Sequence, residues 1–375
     1  MLTVMPVLGG LHAYIGWRLL PALPLDTPGT TIGVLLLGLS ALLIPLGLLA
    51  RFLNVQQVLA DRISWAGSMA MGLFSSVFVL TLIRDAVLLV GPAALATPSA
   101  LGVLLGAVVV TLVGFVNARR VARVVRIDIP LANLPAPLAG FTIVQLSDIH
   151  VGPTIKHDYV AAIVRHANHL GADLIAITGD VVDGNVAQLA PHTAPLAGLE
   201  ARHGVFVVTG NHEYYSGAPA WIAEFRRLGL RVLMNEHVVI EHKGARLVLA
   251  GVTDYSAHAF DPAQRSDPRA ALRGSPDGIP RILLAHQPRS AHAAEAAGFD
   301  LQLSGHTHGG QFWPWNLFVS LQQPFTAGLH RLGRLTVYTS RGTGYWGPPK
   351  RFGAPSEISV LRLVPEPAEY RGGHS

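Results

Sequence analysis

The chain has no cysteine among its 375 residues. Disulfides are therefore excluded, and so is any thiolate metal or iron–sulfur site. Charge is scarce as well, since Asp, Glu, Lys and Arg make up 14% of the residues against about 25% in a typical soluble protein. The shortage is concentrated near the amino terminus, with no charged side chain from Thr31 to Ala50, from Ile63 to Ile83, or from Ala86 to Ala118. The first 25 residues lack a basic region beyond the amino terminus and a clear small-residue cleavage site, which argues against a cleaved signal peptide. A twin-arginine stretch is absent too. The isoelectric point is about 9.7, but the formal net charge is only +5 and no basic surface interleaved with aromatics is visible. Nucleic-acid binding is not expected.

Half of the residues are apolar, and the mean hydropathy is +0.40. About 20 residues at ~1.5 Å each cross the ~30 Å hydrocarbon layer of a bilayer. The three uncharged runs are each long enough, the third from near Ser99 after Gly91-Pro92 and Pro98. A weaker fourth candidate precedes them, interrupted by Pro6, Gly9-Gly10, His12 and Arg18. Residues 1–118 are thus expected to form an all-α transmembrane domain of three to four helices. With four spans, Arg51 and Arg62 share a side with Arg119, Arg120, Arg123 and Arg126, while Arg18 and Arg84 lie opposite. The positive-inside rule then places everything after residue 118 in the cytoplasm, the membrane being a bacterial inner membrane. Arg84 and Asp85 read as a neutralised pair at the membrane boundary.

Residues 119–140 read as a basic juxtamembrane segment and linker, in which Ile127–Pro130 alternates and stops as an edge strand would. From residue 141 the pattern changes. Apolar runs Phe141–Leu146, Leu174–Ile177, Val205–Val208, Ile282–Ala285 and Leu301–Leu303 read as buried strands. Each is followed by metal-binding residue types: Asp148-Ile149-His150, Gly179-Asp180-Val181-Val182-Asp183, Gly210-Asn211-His212-Glu213, His286, and Gly305-His306-Thr307-His308. Residues at the carboxyl ends of such strands face the crevice where α/β proteins bind ligands. Imidazole and oxygen donors with no thiolate favour Mn, Fe or Zn, with Mn the best fit. Two divalent ions about 3.5–4 Å apart can bind both oxygens of a displacement at phosphorus. A set limited to two aspartates keeps such a site positive, which suits an anionic ester.

These five blocks resemble the signature of the calcineurin-like metallophosphoesterase superfamily. Leu146–Gly152, Gly305–Gln311 and Ser340–Gly344 resemble its bacterial YkuE/YaeI-type branch, and the likeness extends over roughly residues 125–365. The resemblance implies that Asp148, His150, Asp180 and His308 hold one metal ion. It implies that Asp180, Asn211, His286 and His306 hold the second, with Asp180 bridging. His212 would contact the phosphoryl group or protonate the leaving oxygen, and Asp183 would orient a ligand. Arg341 could hydrogen-bond a phosphate oxygen or form a structural salt bridge.

Helical spacing over Lys156–Leu170 and Ala218–Leu228, each closed by Gly, together with short strands between Arg231 and Gly251, predicts two packed sheets with outer helices. The expected fold is a two-sheet α/β sandwich over residues 141–365, followed by a tail over 366–375. Phe312, Trp313, Trp315, Leu317, Phe318 and Phe325 form either a core insertion or a rim facing lipid. The function expected is a membrane-anchored, dimetal-dependent phosphohydrolase that cleaves a phosphodiester or pyrophosphate with a metal-activated hydroxide. Its substrate would be a phosphorylated molecule, with a lipid or a nucleotide-linked lipid as the guess. The competing account is a metal-binding regulatory domain of a receptor or transporter, without turnover.

Overall fold

Each uncharged run folds as a helix. In a computed structural model that describes residues 4–53 and 55–366, α1 (Val4–Leu19) is followed by α2 (Thr27–Leu49), α3 (Gln57–Leu88) and α4 (Ala96–Arg119). Asp26 caps α2 by accepting the Gly29 amide at 2.8 Å, with Pro28 in the first turn. Thr27–Phe52, Gln57–Leu88 and Ala93–Arg119 are long and apolar enough to cross a membrane. At 16 residues, the described α1 is about 24 Å long, short of the ~30 Å hydrocarbon layer. Leu35, Leu39, Leu105 and Leu112 point outward, exposed, as on helices whose surroundings are apolar. Helices α2 and α3 approach through their backbones: a Cβ on Gly47 would lie 2.7 Å from Gly67 Cα. The Ser64 hydroxyl donates to the Gly47 carbonyl beside it, the small-residue packing that joins helices in lipid.

This helical unit comprises residues 1–119 and also a short late segment, Gly347–Phe352. The Lys350 ammonium donates to the Gly72 carbonyl at 2.9 Å and to the Ser76 hydroxyl. The Arg351 amide donates to the Gly114 carbonyl at 2.8 Å.

The second unit holds Arg120–Trp346 and the chain from Gly353. Its strands are β1 (Arg123–Leu131), β2 (Thr142–Leu146), β3 (Leu174–Ile177), β4 (Val205–Val207), β5 (Arg231–Val232), β6 (Glu236–His242), β7 (Ala245–Gly251), β8 (Arg281–Leu284), β9 (Leu301–Ser304), β10 (Gly328–Leu332), β11 (Leu335–Thr339) and β12 (Glu357–Pro365). Its helices are α5 (His157–Asn168), α6 (Val186–Thr193), α7 (Asn211–Tyr215), α8 (Ala218–Arg227), α9 (Pro268–Ala271) and α10 (Ala291–Ala297). One six-stranded sheet runs β1-β12-β2-β3-β4-β5, and the other β10-β11-β9-β8-β7-β6. Strands β2 to β5 are parallel to one another, as are β7, β8, β9 and β11.

Much of the segment expected to link the two regions is sheet. Residues 123–131 form the edge strand β1, parallel to β12, where Pro130 costs no central ladder bond. Of the expected tail, residues 367–375 lie outside the described residues.

The sandwich core joins both sheets. Ile143, Leu174 and Phe206 from one pack with Leu249, Ile282, Leu301 and Leu303 from the other. Burial of each such side chain contributes roughly 1.5–3 kcal/mol. Gln145, buried in β2, donates to the Thr178 hydroxyl and to the Ser304 carbonyl, both at 2.9 Å. That one amide ties together the ends of β2, β3 and β9, from which the site residues project.

Candidate metal centre

The motif glycines are set by close backbone approach. A Cβ on Gly210 would lie 2.2 Å from an Asp180 carboxylate oxygen, and one on Gly305 would lie 1.9 Å from the Ser147 hydroxyl. No larger residue fits before Asn211 or before His306. The residues themselves are also strained. Among the described residues, nine non-glycine positions have positive φ, and five are Asp148, His150, Asp180, His306 and His308. Each such conformation costs about 1–3 kcal/mol and persists where surrounding structure fixes it, as at functional sites.

The loops bring all seven expected metal-binding residues, and His212 and Asp183 with them, to one end of the sandwich. Asp148, His150 and His308 form one cluster, His150, Asp180 and His212 a second, and Asp180, His286 and His306 a third. The Asp180 carboxylate is the hub. Its Oδ2 lies 3.1 Å from His286 Nε2, 3.8 Å from His150 Nε2 and 3.9 Å from His212 Nε2. The Asp148 carboxylate lies 3.5 Å from His308 Nε2 and accepts the His306 amide at 3.0 Å.

Hydrogen bonds to the far ring nitrogens orient these imidazoles. His286 Nδ1 donates to the Thr178 carbonyl at 2.8 Å, which turns Nε2 toward Asp180. Asp183 accepts from His150 Nδ1 at 3.0 Å and from His212 Nδ1 at 2.5 Å, fixing both Nε2 atoms inward. Ring nitrogens then converge: His150 Nε2 and His308 Nε2 are 3.0 Å apart, and His286 Nε2 and His306 Nδ1 are 3.2 Å apart. Two nitrogens at that distance need a shared proton or a cation. Asn211 Oδ1 is buried with no hydrogen-bond partner among the described residues, which costs about 1–3 kcal/mol unless something accepts its lone pair. Oxygen and imidazole donors with neutral, aligned lone pairs are what a divalent cation requires.

Electrostatics of the metal-free protein fit the same picture. Burial would raise the Asp180 pKa, but His286 and His212 outweigh it and hold the carboxylate well below its usual range. Burial would lower His286, yet Asp180 lifts it well above the usual imidazole value. His212 is raised to about 9, with Asp180 and Asp183 overcoming its desolvation. His306 is lowered to about 3, by burial and then by the neighbouring His286. Protons here stand where cations belong.

Glu213, the last residue of its motif, has a role that its sequence position did not reveal. Its fully buried carboxyl accepts the amides of Asp180, Val181, Val182 and Gly210 at 2.7–3.2 Å. It ties the Asp180 loop to the Asn211 loop. Asp254 is buried nearby in sequence order before β8, accepting from the Gln287 amide at 3.1 Å and from the Ser256 hydroxyl. The Arg341 guanidinium pairs with buried Glu357 at 3.0 Å. The aromatic run divides. Phe312 is buried and Phe325 packs against the outer core, whereas Trp313, Trp315, Leu317 and Phe318 are exposed.

A two-sheet sandwich that gathers Asp, Asn and His at its strand ends has counterparts among known proteins. Residues 141–310 match the family described as calcineurin-like phosphoesterase. The chain is 40% identical over 270 residues to a bovine (Bos taurus) transmembrane protein with metallophosphoesterase domain, covering 69% of this chain and 61% of that one. It is 34% identical over 224 residues to an uncharacterized metallophosphoesterase of Aquifex aeolicus, covering 59% of this chain and 84% of that one. A solved 5'-nucleotidase precursor from Thermus thermophilus shares 15% identity, with a TM-score of 0.38 over 60% of this chain and 56% of that one. The chain therefore belongs to the calcineurin-like phosphoesterase family. It spans about 60% of the length of the first curated relatives it matches.

Proposed function

We propose that the protein is a membrane-anchored, dimetal-dependent phosphohydrolase acting on a phosphodiester or pyrophosphate. The observation that carries this reading is the convergence of imidazole nitrogens on the Asp148 and Asp180 carboxylates, together with an Asn211 carbonyl that is buried without a partner among the described residues. Asp148, His150, Asp180 and His308 would hold one ion, and Asp180, Asn211, His286 and His306 the other. Two divalent ions, with Mn²⁺ the first choice, would polarise a phosphoryl oxygen and acidify a water.

The remaining roles belong to the chain. Asp183 holds the His212 ring by Nδ1, so that Nε2 faces the site and can carry the proton for the leaving oxygen. His212 is raised to about 9, so in the metal-free protein it is charged at neutral pH. Glu213 keeps the Asp180 and Asn211 loops in register.

A lipid-linked phosphoester is the substrate class we favour. Three helices are long and apolar enough to span a bilayer, and the loop after His308 exposes Trp313, Trp315, Leu317, Phe318 and Leu321. Aromatic and aliphatic side chains of this kind prefer the lipid interface. The arginine asymmetry argues for a cytoplasmic active site.

The test is hydrolysis of bis-p-nitrophenyl phosphate by the detergent-purified full chain, stripped of metal and reloaded with Mn²⁺, beside Asp180→Asn. Mn²⁺-dependent turnover that vanishes in the variant is expected. Activity equal in the variant would refute the assignment.

A further inference from the structure

Beside the catalytic imidazole lies a row of rings that the proposed chemistry does not use. The Tyr215 ring centroid is 5.2 Å from that of His212, and the Trp346 centroid is 6.0 Å from it, both rings steeply tilted to the imidazole. Phe260 continues the row at 5.6 Å from Tyr215. Tyr215, Phe260 and Trp346 are each about half exposed, at 53%, 52% and 46%. One exposed aromatic is ordinary, but contiguous apolar surface bordering a polar site marks a binding groove.

The row is also held rigidly. Gln311 Oε1 accepts the Trp346 amide at 2.9 Å, and its Nε2 donates to the Trp346 carbonyl at 2.7 Å. Gln311 is itself buried and stands three residues after His308. The loop that presents two imidazoles to the centre thus also fixes the tryptophan backbone. Tyr215 is the last residue of α7, the helix that begins at Asn211 and carries His212. Both rings are therefore built on the same elements as the site.

From this arrangement we infer that Tyr215 and Trp346 form a leaving-group subsite for an aromatic or apolar alcohol moiety. The inference rests on the phosphohydrolase reading. If His212 protonates the leaving oxygen, the group attached to that oxygen lies beside the imidazole, where these two rings also pack. Their faces offer stacking and apolar contact, so a glycerol headgroup gains little there. An aryl, prenyl or acyl-bearing group gains most.

The test uses two ligands that share a phosphoryl head, phenylphosphonate and methylphosphonate, bound to the Mn²⁺-loaded full chain and read by calorimetry. The wild type should prefer phenylphosphonate. Trp346→Ala and Tyr215→Ala should each reduce that preference about three- to tenfold, the range of one aromatic contact. Trp346→Phe and Tyr215→Phe should retain most of it. In parallel, the alanine variants should raise KM for bis-p-nitrophenyl phosphate without moving the pH profile of kcat. No preference in the wild type would overturn the subsite, and so would an equal loss for both ligands, which would mean that the rings only brace His212. If neither phosphonate binds the loaded wild type and no ester turns over, the phosphohydrolase reading fails, and the subsite with it.

Discussion

Both units of the molecule bury charge, but they do so differently. In the helical unit Arg84 is almost fully buried, and its guanidinium donates to the Ser99 hydroxyl and to the carbonyls of Arg18 and Ala96. Its neighbour Asp85 takes a two-pronged contact from Arg18, at 2.7 and 2.9 Å, and the Tyr14 hydroxyl. Every charge there meets a donor or acceptor of the opposite sense. In the second unit, ring nitrogen faces ring nitrogen, His150 against His308 and His286 against His306, and the Asn211 carbonyl has no partner among the described residues. A structural ionic cluster closes on itself. A metal centre stays open until a cation enters, and that difference can be tested.

The largest effect should come from the hub. Asp180→Asn keeps the shape but halves the negative charge of the pair Asp148 and Asp180. Turnover should fall at least about 10³-fold, and metal analysis should show less than two ions per chain. An Asp180→Asn protein that retains both ions and activity would mean that the centre is not built on this carboxylate.

Next comes Asp183, which touches His150 and His212 through Nδ1 and reaches no other cluster residue. Asp183→Ala should cost about 10–100-fold in metal affinity or activity. The pH profile of kcat should shift downward on its alkaline side, because Asp183, which with Asp180 raises His212, is gone. The sign follows from the acid role: activity needs the proton on His212 and declines as pH rises through its pKa.

Metal affinity itself should depend on pH. In the metal-free protein His286 keeps its proton well above the usual range, and Glu213 is raised to about 8, by burial and then by Asp180. A ligand must shed its proton before binding, and entry of a cation also reverses the effect of Asp180 on Glu213. Affinity should therefore rise with pH between 6 and 8, by about tenfold per unit for each proton released. Calorimetry in buffers of different ionisation enthalpy would count those protons. An affinity flat over that range would show that the donors are already deprotonated, and the contrast drawn above would lose its electrostatic basis.

How far the sequence reveals this depends on whether a feature is local. The gathering of Asp148, His150, Asp180, Asn211, His286, His306 and His308 at one end of the sandwich was legible because each stands just after a short apolar strand. The sandwich was legible for the same reason, from period and turn residues. The clamp by Gln311 on Trp346 was not, because it joins positions 35 residues apart through a side-chain amide. The four-amide anchorage of Glu213 was hidden by a bland helix-start pattern. Nor did any local signal place Gly347–Phe352 with the helices. Lys350 finds Gly72 across 278 residues, and only tertiary contact reveals such a pairing. Arg341 shows the limit from the other side, since nothing in its sequence context points to Glu357, the partner 16 residues on with which it pairs.

The smallest effect sharpens the comparison most. Asp85→Asn removes the charge that Arg18 and Arg84 share, but both guanidiniums keep other partners or solvent, and the Asp85 side chain is 20% exposed. The loss should be about 1–3 kcal/mol, below the 3–5 kcal/mol of a fully buried pair broken on one side. The thermal midpoint of the full chain in detergent should drop accordingly. Metal content and turnover should remain within twofold, because the Asp85 oxygens are already taken by the Arg18, Arg84 and Tyr14 donors and not by a cation. If Asp85→Asn instead abolished turnover in a protein with unchanged midpoint and both ions bound, the ionic cluster would be functional rather than structural. Closure of its hydrogen bonds would then no longer distinguish the two kinds of buried charge.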